Sequence, residues 1–154
     1  MTTSHTDELR RLMQRLVRRF GALAGDSTPC GKPMSIAQAH ALMILRANGE
    51  LSQQALGAEL CIDKSNVARL CAKLVEDGHA HQRPCEQDGR SRRVSLTVRG
   101  ERLAREVEDS SGARFGALLA TLPAKRRAPV IEALHDLVAA LDALAPPSTE
   151  RESP

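Results

Sequence analysis

Apolar residues recur at helical spacing along most of the chain and alternate at strand spacing only briefly near the middle. From about Asp7 to Leu23 the positions Leu9, Leu12, Met13, Leu16, Val17, Phe20 and Leu23 mark one side of a helix, with arginines mostly between them. A Gly- and Pro-rich loop, Gly25 to Pro33, separates it from a second helix. Ser35 is placed to cap that helix, which is apolar at Ile36, Ala39, Leu42, Met43 and Leu45 and stops at Asn48-Gly49. Two short helices follow closely. Ser52 caps the first, with Ala55, Leu56, Ala58 and Leu60 expected inward, and Cys61-Ile62-Asp63 makes the turn. Asp63 or Ser65 caps the second, whose apolar stripe is Val67, Leu70, Cys71, Leu74 and Val75, ending at Asp77-Gly78. His79–Arg83 and Arg93–Thr97 read as two short strands joined by the charged connection Pro84 to Arg92. Thr97 caps a long helix to about Leu122, Pro123 breaks it, and a last helix carries Val130, Ile131, Leu134, Leu137, Val138, Leu141 and Leu144. The Pro-, Ser- and Glu-containing stretch 146–154 is expected to be a disordered tail.

The order helix, tight turn, helix, hairpin predicts a mainly α fold with a small β-hairpin wing, that is, a winged helix-turn-helix. The apolar stripes of the first and last two helices lie outside the compact middle of the sequence. Three such helices seldom close a core alone, so burial against a second copy is expected, giving a homodimer joined through the N- and C-terminal helices. The domain reading is one unit over 1–145, with 34–98 as the winged helix-turn-helix and 5–25 and 98–145 as dimerisation helices.

Composition narrows the chemistry. Phe20 and Phe115 are the only aromatics, and Tyr and Trp are absent, which disfavours nucleic-acid readers that stack bases on aromatic platforms. No apolar run approaches the roughly 20 residues of a membrane span, and Met1 to Arg19 lacks an apolar signal-peptide core. The expected compartment is the cytoplasm, with no membrane partner. Cys30, Cys61, Cys71 and Cys85 are scattered and expected as thiols in a reducing environment. The net charge is only +3, but residues 61–105 hold ten Lys or Arg against six Asp or Glu, while residues 106–154 are net acidic. That asymmetry points to a localised surface facing a polyanion.

The exposed side of the second motif helix would carry Lys64, Ser65, Asn66, Ala68, Arg69 and Lys73. Ser65 and Asn66 can hydrogen-bond base edges, Arg69 can grip guanine through two parallel bonds, and Lys64 and Lys73 suit phosphates. An ordinary solvated helix face would show the same residues, and the wing shifts the balance. It carries Arg83, Arg90, Arg92 and Arg93, more cations than a turn requires. Arg90, beside Gly89, suits insertion into a minor groove, and Asp88 suits orienting a neighbouring arginine by a charge-assisted bond.

The run Asp88-Gly-Arg90-Ser-Arg-Arg-Val94-Ser-Leu96-Thr97-Val-Arg-Gly100 resembles the wing signature of the MarR (multiple antibiotic resistance regulator) family. Upstream, Leu51–Leu60 and Val67–Gly78 are similar to that family's helix-turn-helix. The resemblance implies a homodimer on double-stranded DNA, at a pseudo-palindromic operator. Its second motif helix would read the major groove and its wing the flanking minor groove, in a transcriptional regulator, typically a repressor, that a small-molecule inducer or an oxidant releases. An enzyme is not expected: no phosphate-cradling glycine loop, nucleophile elbow or metal-binding H-E-x-x-H helix is present. The alternative is a winged-helix adaptor that binds protein rather than DNA.

Three signals stay open. An anionic inducer could be held by Arg15, Arg18, Arg19, His40 or Arg46. A thiol switch could use Cys30, beside Lys32 in its loop, or Cys61 at the helix-turn-helix corner. Oxidant-sensing relatives of the peroxide type rely on a first-helix cysteine with tyrosine partners, and both are missing here. A metal could use His79, His81 and Cys85, or Cys30 with His40, but scattered His and Cys are more often bystanders. No catalytic residue, cofactor or metal ligand is assigned. Where the family usually has an apolar residue after the glycine at position 78, this chain has His79.

Overall fold

The computed structural model describes residues 2–144 except positions 24, 26, 88 and 90, with backbone alone at 2 and 3. The described elements are α1 (Thr2–Phe20), α2 (Ile36–Asn48), β1 (Glu50–Ser52), α3 (Gln53–Leu60), α4 (Lys64–Glu76), β2 (Ala80–Pro84), β3 (Arg92–Leu96), α5 (Val98–Thr121) and α6 (Ala124–Leu144). The mainly helical winged-helix architecture is as expected. The chain divides into two compact units, one to Gly112 and one from Ala113. The expected tail over 146–154 lies outside the described residues.

Helix starts follow local chemistry. Ser35 forms a capping box, its hydroxyl accepting from the Gln38 amide while Gln38 Oε1 accepts from the Ser35 amide. Ser52 accepts from the Ala55 amide at 3.0 Å, and Asp63 rather than Ser65 caps α4. Thr97 Oγ1 accepts from the Gly100 amide at 3.0 Å to open α5. Helix α1 begins earlier than the apolar stripe suggested and stops at Phe20, where Gly21 turns to a φ of 88° that few other residues adopt.

The core of the first unit lies among α2, α3, α4, the sheet and the start of α5. Leu42, Leu45, Leu56, Cys71, Val94 and Ala104 are fully buried, with Val67, Leu74 and Val107 nearly so. Two expected inward positions are corrected. Val75 is 37% exposed, because the stripe of α4 turns away from the core at its last turn. Ala58 is exposed while Gly57 is buried in its place, since the close packing of α3 on α4 brings Gly57 against Val67.

The wing has a third strand that the sequence reading lacked. The antiparallel order is β1-β3-β2, pairing Leu51 with Val94 and Gln82 with Val94. The second strand starts at Ala80 because His79 is used in the turn after α4, its amide bonding Leu74 O at 2.8 Å. Ala80 takes the buried position, leaving His79 half-buried and His81 exposed. The same turn is fastened to the start of α5: Thr97 N donates to His79 O at 3.1 Å, and Thr97 Oγ1 donates to Gly78 O at 2.7 Å. Gly100 sits so close that a Cβ there would lie 1.9 Å from His79 O.

Ion pairs join α2 and the preceding loop to α5. Arg46 binds Glu108 and lies 3.6 Å from Glu101, and Lys32 Nζ lies 3.6 Å from Glu106. In the second unit, α6 follows Pro123 and buries no residue; Leu134, Val138 and Leu141 are exposed along it. On α1, Leu9, Leu12 and Leu16 are likewise exposed.

Candidate nucleic-acid interface

Helix α4 divides cleanly between inside and outside. Val67, Leu70, Cys71 and Leu74 are buried, while Lys64, Ser65, Asn66, Ala68, Arg69 and Lys73 are exposed. Burial of the first set fixes the helix against α2 and α3, so the second set must face solvent.

The outward side chains are not independent. Asp63 Oδ1 accepts from Ser65 Oγ at 2.9 Å and from the Asn66 amide at 2.8 Å. Asp63 Oδ2 accepts from Asn66 Nδ2 at 2.8 Å, and Asn66 Oδ1 accepts from Arg69 Nη2 at 2.8 Å. The Asn66 amide bond, followed by the Ser65 hydroxyl, holds the Asp63 carboxyl below its ordinary value. Asn66 and Arg69 also line an open groove of about 420 Å³ between α4 and the start of α2, bordered by Gln38 and Ile62. Lys73 Nζ bonds Asp77 at 3.1 Å, which raises the lysine's pKa, while Lys64 stands at the first turn.

The wing's arginines, read as more cations than a turn requires, are not all left to face a polyanion. Glu50, on β1, accepts from Arg83 Nη2 at 2.6 Å and from Arg93 Nε at 2.7 Å. Two of the wing's arginines are thereby turned to its base, because β1 docks beside β3 and brings a carboxylate across the sheet. Arg92 is exposed on β3, and the hairpin is closed by Cys85 N donating to Ser91 O at 2.8 Å. Asp88 and Arg90 lie outside the described residues. Glu50 was absent from the sequence reading of the site; its charge, alone between Gly49 and Leu51, is the signal that could have raised it.

The Arg83 bond, then the Arg93 bond, holds the Glu50 carboxyl below its ordinary value of 4.5. The pairing therefore adds stability that is complete above that pH and is lost as pH falls through the lowered value. Glu50→Gln is expected to lower the Tm at neutral pH, and the gap between variant and parent to close as pH drops below 4.5, followed by circular dichroism.

The expected signal residues are dispersed. Arg15 is exposed on α1, His40 on α2 and Cys61 at the end of α3, where it adopts a φ of 55°. Cys30 is half-buried, its Sγ 3.0 Å from Thr28 Oγ1. The neighbouring Lys32, expected to act on Cys30, is directed to Glu106 instead. Arg46, considered for an inducer anion, is already engaged by the carboxylates of α5. Cys71 is fully buried, and desolvation pushes its thiol up to about 11. Among the described residues no three His, Cys, Asp or Glu are grouped so as to hold a metal, so neither His79, His81 and Cys85 nor Cys30 and His40 are drawn into such a cluster.

The sequence pattern of the MarR family matches residues 32–91. The fold is similar to that of the PcaV transcriptional regulator from Streptomyces coelicolor in complex with its natural ligand, with a TM-score of 0.69, 22% identity, and coverage of 92% of this chain and 96% of that one. It is similar to a mutant MarR from E. coli complexed with operator DNA at a TM-score of 0.70, with 22% identity over 84% of this chain and 93% of that one. FabT of Streptococcus pneumoniae in complex with DNA matches at a TM-score of 0.68, with 17% identity over 94% and 99% of the two chains.

Proposed function

We propose that the chain is a member of the MarR family, whose pattern matches residues 32–91, and that it is a sequence-specific double-stranded DNA-binding transcriptional regulator. The observation that carries the proposal is the outward face of α4. Lys64, Ser65, Asn66, Arg69 and Lys73 are displayed together on a helix whose opposite side is locked in the core. Ser65, Asn66 and Arg69 are assigned to base edges, and Lys64, Lys73 and Arg92 to phosphates. Asp88 and Arg90 are assigned to the minor-groove end of the wing. DNA-bound relatives with this fold support the assignment.

The working form is a homodimer on a pseudo-palindromic operator, one α4 to each half-site. Exposed leucines on α1 and on α6 support burial against a second copy. The domain plan is 34–98 for DNA and 5–25 with 98–145 for dimerisation. The role is repression released by a small molecule or an oxidant, with Arg15 and His40 offered to the first and Cys30 and Cys61 to the second. A signal acts by binding or creating a DNA-incompetent shape more favourably than the competent one. Among the described residues no helix is long and apolar enough to cross a membrane. The place of action is the cytoplasm, with the DNA.

The test is selection of bound duplexes from a random-sequence pool by the full-length chain. A pseudo-palindromic site is expected, and Arg69→Ala is expected to weaken binding to it by about 1–3 kcal/mol and relax preference at one base of each half-site. Enrichment of no duplex, or an Arg69→Ala variant that binds as the parent does, sinks the proposal and favours a protein adaptor.

A further inference from the structure

The side chains assigned to base reading are held in a fixed order by a residue that the DNA assignment does not include. An N-cap needs one acceptor oxygen. Asp63 supplies that with Oδ1, which takes the Asn66 amide, and has Oδ2 left over. Oδ2 takes Asn66 Nδ2, and Asn66 Oδ1 takes Arg69 Nη2. A carboxylate only accepts and a guanidinium only donates. Between them, the Asn66 amide satisfies both partners in one orientation alone, nitrogen toward Asp63 and oxygen toward Arg69. Residues 63, 66 and 69 are three apart, so the relay runs along one outward edge of α4.

We propose that Asp63 is a positioning residue for sequence recognition: through its second oxygen it sets the Asn66 amide and thereby aims Arg69. This rests on the DNA-binding reading above. An aspartate at the edge of a polyanion-facing helix repels phosphate in general. Its presence there fits a role in discrimination, not in overall attraction. The arrangement also organises the reading edge before DNA arrives, so less side-chain freedom is lost on binding.

Two variants separate this role from capping. Asp63→Asn keeps a good cap, but its amide offers one oxygen and one nitrogen. With the oxygen on the Asn66 amide N–H, the nitrogen faces Asn66 Nδ2, and the Asn66 side chain must flip or let go, releasing Arg69. Asp63→Ser keeps a cap and removes the second oxygen altogether. Both variants are compared with the parent for thermal unfolding, and for binding to the selected duplex against the same duplex changed at the base whose preference Arg69→Ala relaxes.

The expected result is an almost unchanged Tm, unreduced binding to unrelated duplexes, and discrimination lowered roughly tenfold, within the range of one base-reading contact. In an Asn66→Ala background Asp63→Asn should change discrimination no further, because the relay is already cut. A parent that discriminates, with both variants discriminating equally well, overturns the relay and leaves the DNA-binding reading standing. An equal further loss in the Asn66→Ala background also overturns it. A parent that binds all duplexes alike overturns the DNA-binding reading and the relay with it.

Discussion

Gly100→Ala is expected to lower the unfolding free energy by about 3 kcal/mol, at the upper end of the cost of overpacking a close-packed site. The added methyl would stand 1.9 Å from His79 O and 2.8 Å from His79 C, both backbone atoms that cannot rotate aside. His79 O is also the acceptor for Thr97 N, so moving it breaks a bond that fastens the turn after α4 to the start of α5. The neighbouring Thr97 Oγ1 bond to Gly78 O is strained by the same displacement. Urea unfolding of parent and variant measures the loss; a change under about 1 kcal/mol, a small fraction of a typical domain's stability, contradicts the packing described here.

Leu42→Ala is expected to cost about 2–5 kcal/mol, the range for removing a large buried aliphatic side chain and leaving a cavity. Leu42 has no exposed surface and belongs to the cluster formed with Leu45, Leu56, Leu74 and Val94. Its helix packs on α3, α4, β1 and β3, so the void opens beneath the elements that hold the outward face of α4 in place. Thermal unfolding should show the loss directly. Operator affinity measured well below the variant's Tm should fall less than it does for Arg69→Ala, since Leu42 touches no DNA in the proposed arrangement. Loss of stability near zero would mean that the site collapses around the smaller side chain or is not closed to water.

What could be read from the sequence divides by range. Ser35, Ser52, Asp63 and Thr97 were legible as helix starts because each acts on an amide three residues on, within one turn. The stripe Val67, Leu70, Cys71 and Leu74 was legible because helical periodicity alone sets its shared side. Strand β1 was not: its three residues between Gly49 and a helix are too few to show alternation. Once β1 is missed, Glu50 has no visible relation to Arg83 or Arg93, because their meeting depends on the strand order β1-β3-β2. Arg46 was read as a candidate for an inducer anion and Lys32 as a neighbour of Cys30 for the same reason, their carboxylate partners lying far along the chain on α5. The composition of the outward face of α4 was legible, whereas its internal order was not. Periodicity says which side chains share a face, and only geometry says that Asp63 has an oxygen to spare.

The sealed sulfur of Cys71 has a practical corollary. With neither Trp nor Tyr, the molecule is almost dark in the near ultraviolet and has no indole to report on its interior. Cys71 fills that gap chemically. Its thiolate, the form that attacks an alkylating or disulfide reagent, is suppressed both by complete burial and by a pKa near 11. Exposed Cys61 has no such shelter. The native state thus keeps one thiol sealed while Cys61 stays open to reagent, and breaching the core would release the sealed one, giving the chain a built-in gauge of opening that needs no chromophore.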